Sequence, residues 1–206
     1  MKKVRAFVVF NLLFFVFDVI AYNSLKRERE TLEQAPLEQV PQMPPVVEPI
    51  EEEPAPKMTE SEAQAYLVDL IKKREGFFPR PYLCPAGIPT IGYGFTASRH
   101  LKMKKMTEKQ ASAILEKEII PAMRRTVQQV VNVPLAPYQE AALISFCFNL
   151  GESNLQKLVN GSNRLNGGNY ERTARLMMLY TKAGGKTLKG LVERRKQEAK
   201  LFLGEM

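Results

Sequence analysis

The sequence predicts an α+β domain: a mostly helical lobe, a small β-hairpin lobe set early within it, and a cleft between the two. Three observations carry that expectation. Segments with apolar residues at helical spacing recur from residue 59 to about residue 203. A Gly/Pro-rich stretch, residues 77–99, interrupts them and holds the β-prone piece "PTIGYGF". The β-prone piece comes early and the helical patterns make up the rest, which is an α+β arrangement.

The elements follow in order. Thr59-Glu60-Ser61-Glu62 has the form of a capping box, so a helix begins there. Ala63, Leu67, Leu70 and Ile71 give it one apolar face, and Gly76 ends it. Residues 77–99 read as a small hairpin sheet, with His100 beyond it as a solvated loop residue. Thr107-Glu108 opens a second helix, "TEKQASAILEKEII", which Pro121 should stop, with another helix around 122–132. The most apolar segment, "YQEAALISFCFNLG" (138–151), reads as the central helix, with Phe146, Phe148 and Leu150 in the core. Helical patterns resume around 154–166, 169–181 and 187–203.

Ahead of this body, residues 1–24 and 25–58 differ in kind. Residues 6–22, "AFVVFNLLFFVFDVIAY", are an apolar run of 17 residues behind the basic "MKKVR". This is the pattern of a signal-anchor, at the short end of what spans a bilayer. Asn11 and Asp18 are seven apart and share one helix face, which makes the expected anchor weak. Val19 to Ala21 also resembles a signal-peptidase site, though retention is the favoured outcome. Either outcome sends the body out of the cytoplasm: to the periplasmic side of an inner membrane as a single-pass protein, or released. Residues 36–56 carry seven prolines and several glutamates, so 25–58 reads as an extended linker. The globular domain is expected at 59–206.

Composition narrows the chemistry. Residues 59–206 hold 23 Lys/Arg against 13 Asp/Glu. A basic body of this kind suits an anionic partner such as nucleic acid, a lipid surface or a bacterial cell wall. Only the charge favours nucleic acid, and none is expected as a partner. A single histidine argues against a His-based zinc site or a Ser-His triad, and two cysteines are too few for a disulfide scaffold. No metal or other cofactor is expected, and the protein reads as a monomer.

The stretch "KKREGFFPRPYLCPAGIPTIGYGF" (72–95) concentrates the candidate chemistry. Glu75 closes the first helix, four residues after Ile71 and eight after Leu67, on the apolar face. The negative end of the helix dipole and apolar neighbours both favour the protonated carboxyl, as a general acid needs. On local sequence alone, a surface glutamate pairing with Lys72 or Arg74 is the simpler account. Cys84 and Thr90 follow, after eight and five intervening residues.

That spacing, Glu75–x8–Cys84–x5–Thr90 followed by "IGYG", resembles the active-site signature of phage-type, T4-lysozyme-like lysozymes of glycoside hydrolase family 24. Further blocks resemble the family in order: Thr107-Glu108-x-Gln110-Ala111, "PLAPYQEAALISFCFNLG" (134–151) and "YTKAGGKTLKGLVERRKQEAKLF" (180–202), with Tyr180 where a Trp is usual. The resemblance implies a lysozyme-like fold and hydrolysis of the β-1,4 bonds between N-acetylmuramic acid and N-acetylglucosamine in peptidoglycan, for host cell lysis. It implies Glu75 as the proton donor, a water attacking the opposite face of the sugar, Thr90 helping to hold that water, and Cys84 where Asp is the usual residue. A free thiol is mostly neutral at pH 7 unless cations favour the thiolate, and Arg80 and Arg99 are candidate cations. Arg194 aligns with an arginine that pairs with the catalytic glutamate, with Arg195 the alternative register. Asn149 is expected at the substrate end of the central helix, and Gly92 and Gly94 where the backbone approaches the sugar chain. The anchor has no cysteine and Cys147 reads as a core residue, so a disulfide switch on Cys84 is not expected. A non-catalytic peptidoglycan-binding tether and a lytic transglycosylase are the alternatives.

Overall fold

The structure, a computed structural model, describes residues 58–84 and 87–205. The expected anchor (1–24) and all but the last residue of the expected linker lie outside the described residues. Among the described residues, no helix is long and apolar enough to cross a membrane.

Helix α1 (Glu60–Glu75) starts on the capping box seen in the sequence. Glu62 N–H donates to Thr59 Oγ1 at 3.3 Å, and Thr59 N–H donates to the Glu62 carboxylate at 2.8 Å. Ala63, Leu67, Leu70 and Ile71 are all buried. Gly76 stops the helix at φ 70, a value that favours glycine, and its N–H reaches back to Lys72 O.

Strands β1 (Phe78–Leu83) and β2 (Pro89–Gly92) then pair antiparallel, with Tyr82 opposite Thr90 and Phe78 opposite Gly92. The register shifts between Phe78 and Tyr82, where Pro79 and Pro81 supply no N–H to the ladder. Beyond β2 the chain folds back, Ile91 and Phe95 exchanging backbone hydrogen bonds at 3.0 and 2.8 Å.

A one-turn helix, α2 (Ser98–Leu101), follows, and here the sequence reading of His100 is corrected. His100 is buried. Its ring lies 5.5 Å from that of Phe95, and Nε2 sits 3.2 Å from the Glu118 carboxylate. The short helix turns the imidazole inward, and Glu118 gives it a polar partner. The carboxyl of Glu118 is in turn held below the usual range, first by the His100 hydrogen bond.

A second correction concerns Pro121. The helix does not stop there: α3 (Glu108–Ile114) runs through a π-helical segment, Leu115–Ile119, into α4 (Ile120–Val130). Ile120 N–H donates to Leu115 O, five residues back. The wider turn accommodates the proline, which lacks an N–H and whose ring would clash with a carbonyl four residues back in a regular helix.

The central helix α5 (Pro137–Leu150) buries an unbroken run from Ala141 to Cys147 and packs against α1 and α4. Helix α6 (Glu152–Val159) is shorter than its pattern suggests, because Asn160 and Gly161 begin a turn that leads to a 3-10 turn at Leu165–Gly167. Helix α7 (Tyr170–Met177) is likewise shorter. A second hairpin, β3 (Lys182–Ala183) and β4 (Lys186–Thr187), turns on Gly184 and Gly185 at φ 57 and 75. Helix α8 (Lys189–Leu203) closes the domain by packing across α5 and α7.

Candidate active site

Glu75, at the last turn of α1, is the carboxyl around which the other groups gather. Its side chain is 8 % exposed, and Arg194 Nη1 donates to its Oε1 at 2.8 Å. Neither Lys72 nor Arg74 takes that place: Lys72 pairs with Glu116, and Arg74 donates to Gln197. Arg194 comes from α8, which brings a residue 119 positions away in the chain onto the end of α1.

Arg194 is itself fixed from three directions. Its Nε donates to Glu198 Oε1 at 3.0 Å, and its Nη2 donates to Ser145 O at 3.2 Å. Burial opposes its charge, but Glu75 and Glu198 outweigh burial and push its pKa upward. Glu198 is fully buried and also accepts from the Ser145 hydroxyl at 2.7 Å and from Arg195 Nη2 at 3.0 Å. Arg195 Nη2 donates on to Asn149 Oδ1 at 2.9 Å, and its guanidinium carbon lies 4.9 Å from the centre of the Phe146 ring. Asn149 thus reaches the cluster through Arg195.

On the hairpin, Cys84 and Thr90 are tied to one acceptor. The Ile88 carbonyl accepts Cys84 N–H at 3.0 Å and the Thr90 hydroxyl at 3.0 Å. Gly87 N–H donates to Cys84 O at 2.7 Å and closes the turn. Both side chains are buried, Cys84 as a free thiol. Arg99, one cation offered by the sequence for Cys84, is engaged with Glu118 at 3.0 Å instead.

Tyr82 links the two halves. As the direct cross-strand partner of Thr90 it shares that residue's face of the hairpin, and Cys84 follows two residues on. Its phenol pKa is pushed up to about 12, first by burial and then by Glu75 and Cys84. Both groups therefore lie within electrostatic reach of one hydroxyl.

Gly92 sits at the end of β2 with φ 68, and a Cβ there would meet the Phe95 ring at 2.8 Å and Met106 Sδ at 3.1 Å. The glycine is required by this turn and by packing beneath it. Cys147 lies in the core on α5, where burial raises its thiol pKa to about 11. Among the described residues, no group of three or more His, Cys, Asp or Glu side chains gathers to hold a metal ion.

The phage lysozyme family model matches residues 72–198, more than half of the chain and all of the groups above. The chain belongs to the phage lysozyme family. It is similar to the endolysin of Bacillus phage B103, 33% identical over 141 residues; the match covers 66% of this chain and 52% of that protein, so the chain spans about half of that relative's length. It is also similar to the SAR-endolysin of Escherichia phage Mu, 31% identical over 122 residues, covering 59% and 70%. Among solved structures, the endolysin from Escherichia coli O157:H7 phage FAHEc1 superposes with a TM-score of 0.60 at 31% identity, covering 72% of this chain and 96% of that one.

For this phage lysozyme family member, sequence reasoning overlooked three residues of the cluster. Tyr82 had a signal in its position, two before Cys84 on a β-prone segment. Glu198 follows Arg194 by four on one helix, a spacing that puts the two side chains side by side. Ser145 is a polar residue inside an otherwise apolar helical run.

Proposed function

We propose that this chain is an endolysin that hydrolyses the β-1,4 bonds between N-acetylmuramic acid and N-acetylglucosamine in peptidoglycan, with Glu75 as general acid. The observation that carries the reading is the nearly buried Glu75 carboxyl, held by Arg194 where the helical lobe meets the hairpin that bears Cys84 and Thr90. Family membership supports the lysozyme chemistry.

In the reaction, the Glu75 proton passes to the glycosidic oxygen as the bond to the anomeric carbon breaks. A water attacks that carbon from the opposite face, giving inversion; the proton it loses passes to solvent, and Glu75 takes a proton back from solvent to reset the site. The Thr90 hydroxyl donates to Ile88 O and keeps lone pairs with which to accept from that water. Cys84 would take the place where the family's usual Asp orients and polarises that water. Nothing in this scheme calls on a cofactor. In the cell, residues 6–22 would hold the enzyme at the host inner membrane until release; the likeness to SAR-endolysins supports an anchored, periplasmic enzyme.

Two measurements test this. Purified peptidoglycan treated with the protein should yield new reducing ends, and Glu75→Gln should lower that rate by at least about 10²-fold, the lower range for general acid catalysis. An unchanged rate in that variant would end the assignment. Anhydro-muramic products by mass spectrometry would identify a transglycosylase, and binding without cleavage a tether. For the anchor, fractionation that finds only soluble protein shortened at Ala21 would exclude retention.

A further inference from the structure

We infer that Glu198, which is fully buried, is a positioning residue for the proposed acid: it orients Arg194 on Glu75 and cancels one of the two positive charges that Arg194 and Arg195 bring to the site. The inference rests on the reading of Glu75 as the proton donor.

The geometry is specific. Arg194 and Arg195 are neighbours on α8, both fully buried, and both bond to Glu198. Arg194 uses Nε for Glu198 and Nη2 for the Ser145 carbonyl, which leaves Nη1 directed at Glu75. Ser145 supports both partners, since its hydroxyl donates to Glu198 and its carbonyl accepts from Arg194. Among the described residues, the charged and titratable groups that face the cluster are few. From α1 come Glu75 and Arg74, whose pKa is lowered first by its own burial and then by Arg194. From α8 come Arg194, Arg195, Glu198 and, acting on Arg74, Glu193. From the hairpin come Tyr82 and Cys84. Helix α5 adds only the neutral Ser145 and Asn149.

The charge consequence is direct. With Glu198 ionised, the two arginines and one carboxylate present a net single positive charge to Glu75. Without that carboxylate they would present two, and at short range in a buried site an extra cation strongly favours the ionised acid. A general acid must hold its proton until the substrate takes it, so Glu198 extends the pH range in which Glu75 is competent. Replacing Arg195 has the opposite sign, because it removes a positive charge and leaves the carboxylate.

The test compares pH–rate profiles for peptidoglycan cleavage by the full-length protein, wild type and variants. Glu198→Gln, which keeps the shape and one acceptor oxygen, should move the alkaline limb toward lower pH by about one unit. The rate lost at neutral pH should return in acid. Arg195→Gln should move the same limb the other way, and the double variant should fall near the wild type. A purely structural cluster would give lower rates at every pH with the limb unmoved, or shifts of the same sign in both single variants; either result overturns the inference. If Glu198→Gln does not fold, Arg195→Gln and the double variant decide, and failure of all three to fold also counts against the inference. The underlying reading fails separately: if wild type releases no reducing ends, or Glu75→Gln keeps the wild-type rate, the acid is misassigned whatever Glu198 does.

Discussion

Replacing Arg194 by methionine should destabilise the fold strongly at neutral pH and much less in acid. Arg194 is buried and makes three hydrogen bonds, two of them to carboxylates. Its loss does not orphan Glu198, which keeps Arg195 at 2.9 Å and the Ser145 hydroxyl at 2.7 Å. It does orphan Glu75, whose side chain is 8 % exposed and has no other ion-pair partner among the described residues. Removing one member of a buried pair and leaving the other charged costs about 3–5 kcal/mol. At about 2–4 °C per kcal/mol for a domain of this size, the midpoint should fall by about 10 °C. Methionine fills much of the same volume, so the loss reflects charge more than a cavity. Carboxylates lose their charge in acid, where an unpaired one costs less, so the gap between variant and wild type should narrow as pH falls. Thermal unfolding followed by circular dichroism, near pH 7 and again near pH 4, measures both quantities. Equal midpoints at neutral pH, or a gap that stays constant into acid, would refute the assignment of Glu75 as the group that needs this cation.

Other expectations can be measured on the same protein. Gly92→Ala combines a positive φ with a Cβ 2.8 Å from the Phe95 ring, so urea unfolding should show a loss of about 2–4 kcal/mol; an unchanged urea midpoint would show that the turn tolerates a side chain. Both thiols are buried and free, so a thiol reagent should label neither rapidly in the native protein and both after unfolding; fast native labelling would contradict the packing around Cys84. Tyr82 has a folded pKa of about 12, against about 10 for an unfolded tyrosine. The folded state therefore holds that proton longer, and the associated stability is present below the lower value and lost as pH rises through the higher one. Tyr82→Phe should flatten the decline in stability over that alkaline window; an identical decline would show that burial and its neighbours do not raise this phenol.

How much of this was legible in the residues depended on the range of the interaction. Local signals were read well: the capping box at Thr59, the apolar face of α1, and the apolar run of α5 all lie where near-neighbour rules place them. Failures came where a distant residue decided the outcome. His100 reads as solvated until Glu118 and Phe95 are known to lie beside it. Pro121 reads as a helix stop because the rule assumes regular turns, and the π segment before it changes the carbonyl positions. The short β3–β4 hairpin escaped because two-residue strands carry almost no pattern, although Gly184-Gly185 marked its turn. At the candidate site, Glu75 and Arg194 were each picked out through a family resemblance, whereas Glu198 and Ser145 became visible only once α5, α8 and α1 were seen to converge.

The long helix from Glu108 to Val130 carries one residue more, across Leu115–Ile119, than a regular spiral would use. A chain lacking that residue could keep both flanking halves in register, but its ring at 121 would then press on the carbonyl one turn before it. The extra residue and the proline therefore form a pair, each tolerable because of the other. Indels in this stretch and the identity of position 121 should change together when relatives of different length are aligned.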